Sequence, residues 1–268
     1  MSGQFRFRMA PVLSLVWVSV RNGKGGVMNR RLKNLIIAPI CLVAFSNVAH
    51  AQLKDNLEVN LFGGGSFYTD KKFEIGFPQT VTPIQAAFRL NDAIRAGLRV
   101  GVFTRGHWSQ EFFYSYEPTT THFIRRSPPS GSVNLRLGVH NYGITGLYYF
   151  QDNESRSVRP FLSIGVGGAL YRLTTAAQAI ARDPLRGNLP GIGNTNTLTL
   201  NYGVGVKVRP AANWLGFRAD VRGFLGRHPS FGLPRQSDNP NALVFPATGA
   251  MHNGEASAGL VFYFFNRR

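Results

Sequence analysis

A single cysteine, Cys41, stands in 268 residues, so no disulfide framework is available; a chain otherwise free of thiols suits an exported protein. Charged side chains are scarce at 16%, against about 25% in an average soluble protein. No apolar run approaches the roughly 20 residues of a spanning helix. Acidic residues are the rarer sign, 13 against 30 basic, a formal charge of +17. Such an excess points to nucleic acid when the cations cluster. Here most stand singly between apolar neighbours, with no basic helix, zinc-finger spacing or basic–aromatic strip, so no nucleic-acid partner is expected. No metal-ligand spacing occurs. The Gly-rich GVGVKV and IGVGG stretches lack the following helix that a phosphate-binding loop needs. No cofactor is expected.

What is present begins with an address. From Met28 the chain reads MNRRLKNLIIAPICLVAFSNVAHAQ. Arg30, Arg31 and Lys33 form a positive stretch, residues 35–45 an apolar one, and Ala49-His50-Ala51 a small-x-small cleavage site, the three parts of a secretory signal. Residues 28–51 are read as signal peptide, residues 1–27 as an extension upstream of the true start, and 52–268 as the mature domain. Seven basic residues precede Gln52, leaving 23 against 13 acidic ones, a net charge of +10.

Beyond Gln52 the dominant period is two, the mark of strands whose faces meet different surroundings. Eight strands are expected, at 56–68, 93–103, 108–116, 132–150 (with a bulge), 158–171, 197–209, 214–225 and 251–265. The segment 197–209 is the clearest: Leu198, Leu200, Tyr202, Val204, Val206 and Val208 alternate with Asn201, Gly203, Gly205, Lys207 and Arg209. Long connections at 69–92, 117–131, 172–196 and 226–250 alternate with short ones at 104–107, 151–157 and 210–213. Long on one side and short on the other is the pattern of an outer-membrane barrel. The predicted fold is an all-β, eight-stranded antiparallel up-and-down transmembrane β-barrel.

The charges set which face looks inward. Glu58, Arg95, Arg99, Glu111, Arg136, Lys207, Arg218, Asp220, Arg222 and Glu255 alternate with apolar positions, and a charge against lipid near the midplane costs about 2–4 kcal/mol. These ten are expected to line the barrel as a mutually neutralising network, with His140 among them. Trp108, Trp214, Tyr148 and Tyr149 sit at strand ends beside short turns and are expected to form an aromatic girdle. Lys71, Lys72, Arg125 and Arg126 are expected on surface loops, where they suit phosphate groups of lipopolysaccharide. His107, Ser109 and Glu111 share a face as His-x-Ser-x-Glu, but strand residues two apart are about 6.8 Å apart, too spread for a catalytic triad.

VRPFLSIGVGG, GFRADVRGF and the terminal Ser257, Gly259, Phe262 and Phe264 together resemble the small eight-stranded outer-membrane barrels of the OmpA transmembrane-domain kind. The resemblance covers about 52–268. It implies that the last four residues act as the assembly signal read by the barrel-assembly machinery, and that the protein lies in the outer membrane of a Gram-negative-type bacterium among its lipids and lipopolysaccharide. An eight-stranded barrel has room only for side chains. The expected role is therefore non-enzymatic, structural or surface-binding and adhesive, with a ligand the loops do not identify. The alternatives are a narrow channel and a lipid A-modifying enzyme.

Overall fold

The computed structural model describes residues 57–69, 72–76, 86–103, 107–126, 130–151, 157–186, 188–209, 214–240, 242–245 and 249–264. The signal segment, the extension before it and Lys71 lie outside these residues. Ten strands form: β1 (Leu57–Tyr68), β2 (Lys72–Ile75), β3 (Ala86–Leu90), β4 (Ala93–Phe103), β5 (Trp108–Arg125), β6 (Gly131–Tyr149), β7 (Val158–Leu173), β8 (Thr195–Val208), β9 (Leu215–Arg227) and β10 (Ala250–Phe264). Among the described residues one helix, α1 (Thr175–Arg182), follows β7.

Eight strands close into a ring in the order β5-β4-β1-β10-β9-β8-β7-β6, with β6 returning to β5 and every pairing antiparallel. β3 continues the line of β4 along the upper part of β5, and β2 pairs outside it. These two short strands occupy part of the stretch read from sequence as the first long loop. The paired line from Val261 runs through Asn60, Arg99, Phe113, Gly143, Gly167, Thr199 and Gly226 and returns to β10 at Met251. The circuit is thus staggered by ten residues, which tilts the strands and sets the girth of a narrow barrel.

The hairpin β5–β6 is the tallest part, at 18 and 19 residues, and stands beyond the level where the wall faces lipid. Along it the two faces exchange character. In the lower part of β6 the outward residues are Tyr142, Ile144 and Tyr148, and the inward ones include Asn141, Gly143 and Thr145. Higher up, Leu135, Leu137 and Val139 point inward and Asn134 and Arg136 outward. The solvent explains the exchange: lipid takes apolar residues on the outside, and water above it restores the ordinary inside-apolar rule. The expected bulge in this strand is absent, because pairing with β5 runs unbroken from Trp108↔Tyr148 to Arg125↔Gly131.

The interior accordingly has two tiers. The upper is an ordinary apolar core in which the long loops fold back into the mouth. Ala177 and Ala181 of α1, with Leu189, Ile192, Phe231 and Phe245 from the loops, pack on strand residues such as Tyr68, Leu135, Tyr171 and Met251. Helix α1 is capped by Thr174, whose hydroxyl accepts from the Ala177 N–H at 3.2 Å, satisfying a donor left over at a helix start. The lower tier is charged.

Candidate functional site

Alternation on five strands carries charged side chains into the lower tier: Glu58 from β1, Arg95 and Arg99 from β4, Glu111 and Glu117 from β5, Arg218, Asp220 and Arg222 from β9, and Glu255 from β10. Lys207 joins them from β8. The set holds five cations and five carboxylates.

Each group finds partners on its own strand, on a neighbouring strand or across the lumen. Glu255 accepts from Arg95 Nη1 at 2.9 Å and Arg99 Nη2 at 2.8 Å. Glu117 takes the Nε and Nη2 of Arg95 at 3.1 and 2.6 Å, and its other oxygen accepts from the Tyr68 hydroxyl. Asp220 binds Arg99 at 3.1 Å, Arg218 at 3.0 Å and Arg222 at 2.8 Å, and accepts from Ser257 Oγ. Glu111 reaches Arg222 at 2.6 Å and also pairs with Arg218, while Glu58 pairs with Lys207. Their side chains are at most 5% exposed.

Ring faces cushion the guanidinium groups: Arg99 lies 3.5 Å from the centre of Phe62, Arg218 4.7 Å from Phe161 and Arg95 5.2 Å from Phe224. Ion pairs buried this way stand only where charges are matched and most of their hydrogen bonds are made; the five-to-five balance meets the first condition, and Arg99 Nε, Arg218 Nε and Arg222 Nη1 are the guanidinium nitrogens of the lattice left without a hydrogen bond. Below the lattice, Tyr149 and Phe161 pack at 5.6 Å with their rings tilted by 56°, and Arg159 lies over Tyr149 at 4.0 Å.

Nine of the ten residues expected in the interior are therefore brought together. Arg136 is a correction: it is exposed on the outside of the extended hairpin, where the faces have exchanged. His140 is outward too, its Nδ1 2.7 Å from the Tyr114 hydroxyl. Tyr149 is no girdle residue; it is fully buried, because it follows outward Tyr148 on an unbroken strand. Trp108 and Trp214 are 56% and 60% exposed, and Trp108 meets Tyr148 edge-on at 5.0 Å. Arg125 is not a surface residue; it turns inward and donates to the Pro184 carbonyl at 2.8 Å. Arg126 is exposed, and Lys72 lies on β2. Sequence reading missed Glu117, although the 109–111–113–115 alternation extends directly to it.

On β10, Ser257 is buried in the lattice and Phe264 exposed. A side chain at Gly259 would collide with the Leu61 carbonyl on β1, so the seam between first and last strands closes only on glycine. His107, Ser109 and Glu111 have separate partners: His107 Nδ1 lies 2.7 Å from the Tyr149 carbonyl, Ser109 donates to the Val102 carbonyl, and Glu111 holds arginines. Outside the wall, Leu61, Ile94, Ile164, Val166, Leu198, Val204 and Val221 are 52–79% exposed. An apolar exterior around a charged interior is the composition of a lipid-spanning barrel.

No known family pattern matches the chain, and no curated protein matches it. Solved structures do. The outer membrane protein OprG from Pseudomonas aeruginosa aligns over 78% of this chain and 96% of its own, at 11% identity and a TM-score of 0.48. The N-terminal β-barrel domain of Pseudomonas aeruginosa OprF aligns over 79% and 98%, at 16% identity and a TM-score of 0.40. Neisserial surface protein A aligns over 78% and 97%, at 14% identity and a TM-score of 0.37. Each of these alignments covers nearly the whole of the neighbour.

Proposed function

We propose that this protein is a non-enzymatic integral outer-membrane barrel with a structural or surface-binding role, its lumen closed to solutes. The observation that carries the reading is the balanced lattice of five cations and five carboxylates, which occupies the lumen at the level of the lipid-facing wall. A passing ion would have to displace buried, mutually bonded charges, and removing one partner of such a pair costs about 3–5 kcal/mol. The apolar tier above the lattice supports the same reading, since α1 and the long loops seal the outer mouth. Against an enzyme stands the separate engagement of His107, Ser109 and Glu111, which leaves no convergent nucleophile and base. The test is single-channel recording of the refolded protein in planar bilayers. The expected outcome is a quiet membrane; reproducible unitary steps would make it a narrow channel.

A further inference from the structure

We propose that four arginines form a collar on the outside of the barrel that binds the phosphate groups of glycolipid in the outer leaflet; this rests on the outer-membrane reading above. The four are Arg89 on β3, Arg136 on β6, Arg172 on β7 and Arg227 on β9, all exposed. The pairing sets their registers: Arg89 stands opposite His122, Arg136 opposite Thr120, Arg172 opposite Gly138 and Arg227 opposite Ala250.

The ten-residue stagger means that positions of equal height drift by about one residue per strand around the ring. Corrected for that drift, the four arginines fall within about three residues of one height, under roughly 10 Å of strand. About six residues lower on the same scale stand Tyr114, Tyr142 and Tyr202. The Trp108, Trp214 and Tyr148 girdle lies about 30 Å below the collar, one hydrocarbon thickness. The cations therefore stand where the wall leaves the apolar layer on the long-loop side. They point sideways from the wall, toward lipid headgroups.

The sign of the charge is one-sided. Among the described residues no Asp or Glu occupies an outward position on the eight barrel strands or on β3; on β2, Glu74 follows two residues after Lys72, the register partner of Arg89. Nor does any of the four arginines make an ion pair with a described residue. The carboxylate of Asp92, at the join of β3 and β4, takes the Tyr68 N–H at 3.0 Å. In the loop above β9, burial and then the neighbouring Arg227 push the Arg235 guanidinium below its ordinary value. Guanidinium groups in a row without carboxylates suit phosphates, to which their paired N–H groups bond in a fork. The lattice inside the same barrel shows the contrast: there every cation has its carboxylate.

The full mature chain would be refolded in phosphatidylcholine nanodiscs. Retention of a fluorescent bis-phosphorylated lipid A would be compared with that of its dephosphorylated form. The expected result is at least about a fivefold preference for the phosphorylated lipid, lost in the Arg136→Gln/Arg172→Gln double variant. Equal retention of both lipids, or a preference unchanged in the variant, would overturn the collar. So would displacement by inositol hexakisphosphate as effective as by unlabelled lipid A, which would assign the arginines to a soluble polyanion. Folding of each variant is read from its gel shift on boiling; should the double variant not fold, Arg172→Gln alone is read the same way. A wild-type chain that forms no boiling-sensitive barrel would sink the membrane reading itself, whereas a folded barrel without phosphate preference sinks only the collar.

Discussion

Glu111 spans the lumen from β5 to two arginines of β9. Removing it leaves Arg218 and Arg222 with Asp220 as their remaining carboxylate. Glu111→Ala is expected to cost about 3–5 kcal/mol, read as a lower urea midpoint for unfolding from detergent micelles. Glu111→Gln keeps the volume and loses the charge, so it is expected to recover little. At this scale the sequence was informative wherever alternation ran through a single environment: Arg95, Arg99, Arg218, Asp220 and Arg222 all stand inside. It misled at Arg136 and His140 because the solvent outside the wall changes partway along β6. Glu117 was lost for a related reason, since β5 continues nine residues past its expected end at 116. The height at which lipid gives way to water shows only when the strands are aligned by their pairing around the ring.

Among elements, β10 carries both the seam and the lipid-facing aromatics. Phe264 is 45% exposed opposite Leu57 of β1. A charge there would face lipid, at a cost that falls from about 2–4 kcal/mol at the midplane toward the interface, on the strand that must close the ring. Phe264→Asp is expected to fail in assembly, seen as loss of the protein from the outer-membrane fraction. Helix α1 makes the opposite kind of contact. Ala181 is fully buried in the upper apolar tier, so Ala181→Arg is expected to unseat the loop between β7 and β8 without opening the barrel. Protease cutting within 174–194 at an unchanged unfolding midpoint checks this. The eight long strands were legible from their period of two. β2 and β3 were not, since four and five residues give alternation too little length to show.

At the scale of the whole barrel, the eight described strands form a closed ring with no free edge in the wall, and closure of this kind resists detergent. Unboiled and boiled samples are expected to migrate differently on a detergent gel. Identical migration would mean that the ring does not form. The number of strands and their up-and-down order followed from the alternation of long and short connections. The division of the interior into charged and apolar tiers did not, because it depends on which residues meet across the lumen.

That lattice also has a mechanical consequence. β5 and β9 stand four places apart in a ring of eight, on opposite sides of the tube, and Glu111 with Arg218 and Arg222 bridges them. The Glu58–Lys207 pair joins β1 to β8, and Asp220 with Arg99 joins β9 to β4, three places apart in each case. A thin hoop held only along its wall flattens when squeezed from the side. These contacts act as spokes, and they keep the cross-section round against the lateral pressure of the surrounding lipid.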